Sequence, residues 1–152
     1  DLFLCSSTIE RMFAMWPFKK KAPSSIAFRS AVKQGSLIDM QARPYLKLNR
    51  DKNINLPLGI TPAAYQAFID VPGEDNNVRG LKLARWADVL LLFIELSQKM
   101  EDKAALDLVY DIGILRLSGF GYSRSIKVRV EEIDENPSLV FMLPEDEYPL
   151  PM

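Results

Sequence analysis

The stretch "SIKVRVEEIDENPSLVFMLPEDE", Ser125 to Glu147, decides the fold class. Ile126, Val128 and Val130 alternate with Lys127, Arg129 and Glu131, the period of two that gives a strand one apolar and one polar face. "DENP" then reads as a four-residue turn. "SLVFML" follows with both faces apolar, as in a strand covered on two sides. Pro144 cannot donate to a sheet ladder, so the strand is expected to end at Leu143. Glu145, Asp146 and Glu147 should then step out into water as three mutually repelling carboxylates.

Upstream the same period recurs. Leu106, Leu108, Tyr110, Ile112 and Ile114 alternate with Asp107, Val109, Asp111 and Gly113, and "RLSGFGYSR" reads as the connecting loop. Before these strands the period lengthens. From Leu81 to about Met100, Leu83, Trp86, Leu90, Phe93 and Ile94 recur at steps of three and four, with Arg85, Asp88, Glu95 and Gln98 largely opposite. This is the longest helix, and "VLLLFI" in its middle suggests packing on more than one side.

Two shorter helices precede it. In "ITPAAYQAFID", Thr61 takes the N-cap, Pro62 the first helical position, and Ile60 can staple onto Tyr65. In "SIAFRSAVKQ", Ser24 or Ser25 caps the start and Gly35 the end, after which "SLIDM" leaves extended. Residues 41–59 follow neither period and read as a long surface connection. The expectation is one α+β domain over 23–152, an antiparallel sheet of three to four strands packed against one long and two short helices. Residues 1–22 are read as a leader and flexible arm, with "MWPFKKK" at Met15 resembling a natural bacterial start.

Composition narrows the chemistry. The chain has 152 residues, 48% of them apolar, with one cysteine and no histidine. That supports a core without metal or disulfide, and it removes the commonest metal ligand and general base together. No apolar run reaches the roughly 18 residues needed to cross a bilayer, and a cytoplasmic protein is expected. The net charge is −1, yet residues 1–60 carry 10 Lys/Arg against 4 Asp/Glu and the remainder 9 against 16. The two halves are expected to face and partly compensate each other; a basic face for phosphates is the sharper alternative.

No catalytic, cofactor-binding or metal-binding residue is assigned. Candidate functional residues are Arg85 and Asp88, three apart on the long helix where opposite charges meet, together with Trp86 beside them. Asp39, with Asp107 and Asp111, is an acid among apolar neighbours from which a carboxylate site could be assembled. Tyr122, in a loop between Arg116 and Arg124, could stack a base.

The segments "AVKQGSLIDM" (31–40), "LPLGIT" (56–61), "RWADVL" (85–90) and "NPSLVFMLPEDE" (136–147) resemble, in order and spacing, an uncharacterised family of small bacterial, plasmid and phage proteins. Those proteins carry "R..WDVL" and "MLPEED"-like motifs. Arg85, Asp88, Val89 and Leu90 fall on that pattern, while the tryptophan sits one residue early, at Trp86. The resemblance implies an accessory role and no established activity. The leading expectation is therefore a small non-catalytic interaction protein, partnered or homodimeric through the two-sided apolar strand or the long helix. The alternatives are a small hydrolase or nucleic-acid-processing enzyme using Asp39, Asp88 and Arg85, and a nucleic-acid binder using the basic first half.

Overall fold

A computed structural model describes residues 21–99, 107–117, 121–133 and 136–149. The elements are α1 (Ile26–Gln34), β1 (Ile38–Asp39), α2 (Leu46–Asp51), β2 (Leu58–Ile60), α3 (Pro62–Phe68), α4 (Leu81–Gln98), β3 (Asp107–Ile114), β4 (Tyr122–Ile133) and β5 (Asn136–Met142). The class is α+β. The sheet, however, has five strands in the order β1-β2-β5-β4-β3. β3, β4 and β5 form the expected antiparallel set, with β4 starting inside the stretch read as loop. β2 adds parallel to β5, and β1 antiparallel to β2.

The correction lies in residues 41–59. Far from a surface connection, they contain α2 and β2 and bury Tyr45, Asn49, Ile54, Leu56 and Leu58. Neither element is long enough to show a period, so only tertiary burial reveals them.

The local signals elsewhere act as their chemistry demands. Ser25 Oγ accepts from the Phe28 N–H at 3.0 Å and Gly35 closes α1 in the left-handed region, φ 81°. Thr61 Oγ1 accepts from the Ala64 N–H at 3.3 Å, with Pro62 at the first position of α3.

α3 and α4 cover one sheet face. Trp86, Val89, Leu90 and Phe93 pack with Tyr110, Ile112, Ile126, Val128, Leu139 and Phe141. The Trp86 and Phe93 rings meet Phe141 edge-on at 5.0 and 5.5 Å, a favoured aromatic geometry. Packing of α4 is one-sided in its middle, since Leu91 is exposed. α1 and the following Leu37 cover the other face at β5, where Phe28, Ala31 and Leu37 meet Val140 and Met142. This two-sided cover is what the unbroken apolar run of β5 answers to. β5 is central and enclosed within one chain, so it offers no dimer surface.

Candidate functional site

Arg85 sits on the buried stripe of α4 and not on its polar face; it is 2% exposed. The reason is spacing: Leu81, Arg85 and Val89 follow one another at four-residue steps, all buried. Each guanidinium nitrogen has a partner. Nε donates to the Leu115 carbonyl at 2.8 Å, and Nη1 donates to the Ile69 carbonyl at 2.8 Å and to Asn76 Oδ1 at 2.6 Å. Nη2 donates to Glu74 Oε2. Glu74 Oε1 in turn accepts from Arg116 Nε and the Leu117 N–H, each at 3.1 Å.

The result is an internal Arg85–Glu74–Arg116 cluster that ties the 71–80 loop to the start of α4 and the end of β3. Burial alone would raise the Glu74 carboxyl, but the Arg116 hydrogen bond and the charges of Arg85 and Arg116 together outweigh it and hold it below the usual carboxylate range. Asn76 completes the loop, accepting from the Val71 N–H and donating to the Val71 carbonyl. With every Arg85 nitrogen and both Glu74 oxygens engaged, the cluster is a structural clasp.

The expected Arg85–Asp88 surface pair is therefore absent. Asp88 is exposed, makes no ion pair among the described residues, and has its carboxyl raised by partial desolvation. It lines an open depression of about 470 Å³ with Gly113, Leu115, Tyr122 and Ser123.

Trp86 is fully buried, and its Nε1–H donates to Asn49 Oδ1 at 2.7 Å. Asn49, likewise fully buried, donates through Nδ2 to the Met40 carbonyl at 2.8 Å and to Gln41 Oε1 at 3.1 Å. Trp86 is thus an anchor between α4 and the 40–56 segment. Tyr122 lies in β4, its hydroxyl donating to the Ala67 carbonyl at 3.2 Å and its ring 5.1 Å from the Arg116 guanidinium carbon. That ring is already stacked from within. Phe120 lies outside the described residues.

The remaining acids do not converge. Asp39 is on β1 and Asp107 and Asp111 on β3, the opposite edges of the sheet. Asp39 accepts from the Gln41 N–H, Asp107 pairs with Arg129 and Lys127, and Asp111 accepts from Ser125 Oγ. Among the described residues no group of three acidic or sulfur ligands could hold a metal ion. Nor do the three C-terminal acids all enter water. Asp146 Oδ2 accepts from Thr61 Oγ1 at 2.6 Å and from the Leu143 N–H at 2.9 Å, tethering the chain after β5 to the start of α3.

Among the described residues, charge compensation between the halves is not made by ion pairs. All six ion pairs of the described residues join groups between Asp70 and Glu145. Lys21, Arg29, Lys33, Arg43, Lys47, Arg50 and Lys52 enter none of them.

Glu74, Asn76 and Asn49 escaped the sequence reading. The four-residue step from Leu81 through Arg85 to Val89 was a signal that Arg85 is internal and needs an acid. For Asn49 no signal existed. Comparison with known proteins gives no match to this chain: none to a family model, a curated protein or a solved structure. Among the described residues no helix is long and apolar enough to cross a membrane.

Proposed function

We propose that this chain is a small non-catalytic interaction protein, acting as an accessory factor in the cytoplasm of the bacterial, plasmid or phage setting that its motifs resemble, and that it pairs with a second copy through β3. The observation that carries this reading is the free edge of β3. This eight-residue strand pairs only with β4 and is a sheet edge among the described residues. An edge of that length presents unpaired N–H and C=O groups to another strand. Val109, Leu115 and Leu117, on or just beyond β3, are each about half exposed.

A twofold pairing that keeps like faces together has few acceptable registers. Setting Asp111 opposite Asp111 or Asp107 brings like charges together, which is unfavourable. Centring on Ile112 needs residues beyond the strand, where the Leu115 carbonyl is already taken by Arg85. Centring on Tyr110 places Val109 opposite Asp111 and Asp107 opposite Gly113, where a Cβ would have open space. We assign that register.

The test is light scattering coupled to size exclusion across protein concentration, with charge substitutions at the exposed Val109. Val109→Glu, set against Asp111, should weaken the dimer at least tenfold, and Val109→Lys should tighten it. A monomer at all concentrations, or identical behaviour of both variants, would refute β3 pairing. The carboxylate-enzyme alternative finds Asp39 at the sheet edge opposite Asp107 and Asp111, Arg85 engaged in the clasp, and Asp88 lining its depression with no second acid among the described residues.

A further inference from the structure

We infer a phosphate-binding cleft between the 21–24 segment and α2. The cleft holds about 240 Å³, below the roughly 300–1,000 Å³ of sites for drug-sized ligands, so its occupant is small. Lys21 and Arg50 line it together with Ser24, Leu46, Leu56 and Pro57, and no aspartate or glutamate is among the lining residues. Neither cation enters an ion pair among the described residues, and Lys47, one helical turn before Arg50 and also exposed, enters none either.

The walls are fixed before any ligand arrives. Ala22 packs against the main core and holds the 21–24 segment in place. Gln41 at the cleft donates through Nε2 to the Ile54 and Leu56 carbonyls at 3.0 and 2.7 Å, and its Oε1 accepts from Asn49. The Gln41 amide is thereby consumed in bracing the wall, and Lys21 and Arg50 are the charged donors open to a ligand.

Two cations unpaired among the described residues match a dianion. A phosphate monoester carries about −1.5 to −2 at neutral pH and offers three strong acceptor oxygens, whereas a phosphodiester carries a single charge. Arg50 presents a planar fork suited to two phosphate oxygens, and Lys21 a point charge. The apolar surface of Leu46, Leu56 and Pro57 suits a compact organic body attached to the phosphate. The ligand class is thus a small phosphomonoester, of the size of a pentose phosphate.

The test is isothermal titration calorimetry of the full chain with ribose 5-phosphate, inorganic phosphate, ribose and a short single-stranded oligonucleotide without terminal phosphate. Ribose 5-phosphate should bind more tightly than inorganic phosphate, and ribose not at all. Lys21→Gln and Arg50→Gln should each weaken binding about tenfold, the value of one charge-assisted hydrogen bond, while Lys33→Gln on α1 should leave it unchanged. Both cleft cations are exposed, so their loss spares the fold, and matching far-UV circular dichroism checks this. No binding of ribose 5-phosphate at millimolar concentration, or equal affinity in all three variants, would overturn the inference. So would binding of the oligonucleotide alone, which would transfer the basic surface to nucleic acid. Oligomeric state is a separate readout, so this test and the β3 test succeed or fail independently.

Discussion

Replacing Asn49 by Ala should be among the most damaging changes to this fold. The side chain is fully buried and holds three partners: the Trp86 indole N–H at 2.7 Å, the Met40 carbonyl at 2.8 Å and Gln41 Oε1 at 3.1 Å. Gln41 is partly exposed, and its amide keeps its bonds to the Ile54 and Leu56 carbonyls. The Trp86 N–H and the Met40 carbonyl lose this partner, and each buried group left unmade costs about 1–3 kcal/mol. With the lost packing, Asn49→Ala should cost about 3–5 kcal/mol, a large part of the roughly 5–15 kcal/mol stability of a typical domain. For a chain of this size that is a fall of roughly 6–20 °C in Tm. The assay is urea unfolding followed by far-UV circular dichroism, which stays valid when a tryptophan is removed. Trp86→Phe deletes the donor, so Asn49→Ala in that background should cost about 1–3 kcal/mol less than in the parent. Costs that add within about 0.5 kcal/mol, or an Asn49→Ala cost below about 1 kcal/mol, would refute the reasoning.

Other expectations follow from the clasp and from one close approach. Arg85→Met should lower the urea midpoint more than Arg116→Met, because Arg85 alone also serves the Ile69 and Leu115 carbonyls; Arg85→Lys should not restore it, lacking the planar fork. Because Glu74 is held below its ordinary value of 4.5, its contribution is present above that pH and is lost as pH falls through its folded value. Glu74→Gln should therefore flatten the acid limb of a stability profile below about pH 4.5, and an unchanged limb would count against the clasp. At Gly59 a Cβ would meet Leu37 Cδ2 at 2.5 Å and Cγ at 2.6 Å. Gly59→Ala should cost about 1–3 kcal/mol by overpacking, and Leu37→Ala should reduce that penalty in a double mutant followed by thermal melting.

The periodic elements were legible because their causes are local. Alternation in 106–114 and 126–130, the caps at Ser25, Thr61 and Gly35, and the enclosed run of β5 each follow from a residue and its near neighbours. The functional candidates fared differently for the same reason. Arg85 was read as a surface partner of Asp88, since a sequence shows the acid three residues away and not Glu74, which the folded 71–80 loop brings against it. Trp86 was legible as core but its bond to Asn49 was not, because that contact spans 37 positions. Asp146 looked solvated in a run of three acids, and only the fold sets Thr61 within 2.6 Å of it.

What the sequence determined by itself was the α+β class, the long helix and the existence of three antiparallel strands, though not all their ends, and the excess of positive charge before residue 60. Tertiary structure alone decided that β2 joins β5 in parallel, that Arg85 is internal, and that Lys21 and Arg50 share a cleft while β3 is an edge of the sheet among the described residues. The division is physical: helix and strand periods are written in steps of two to four residues, whereas partners of buried polar groups are chosen by whichever distant segment closes over them.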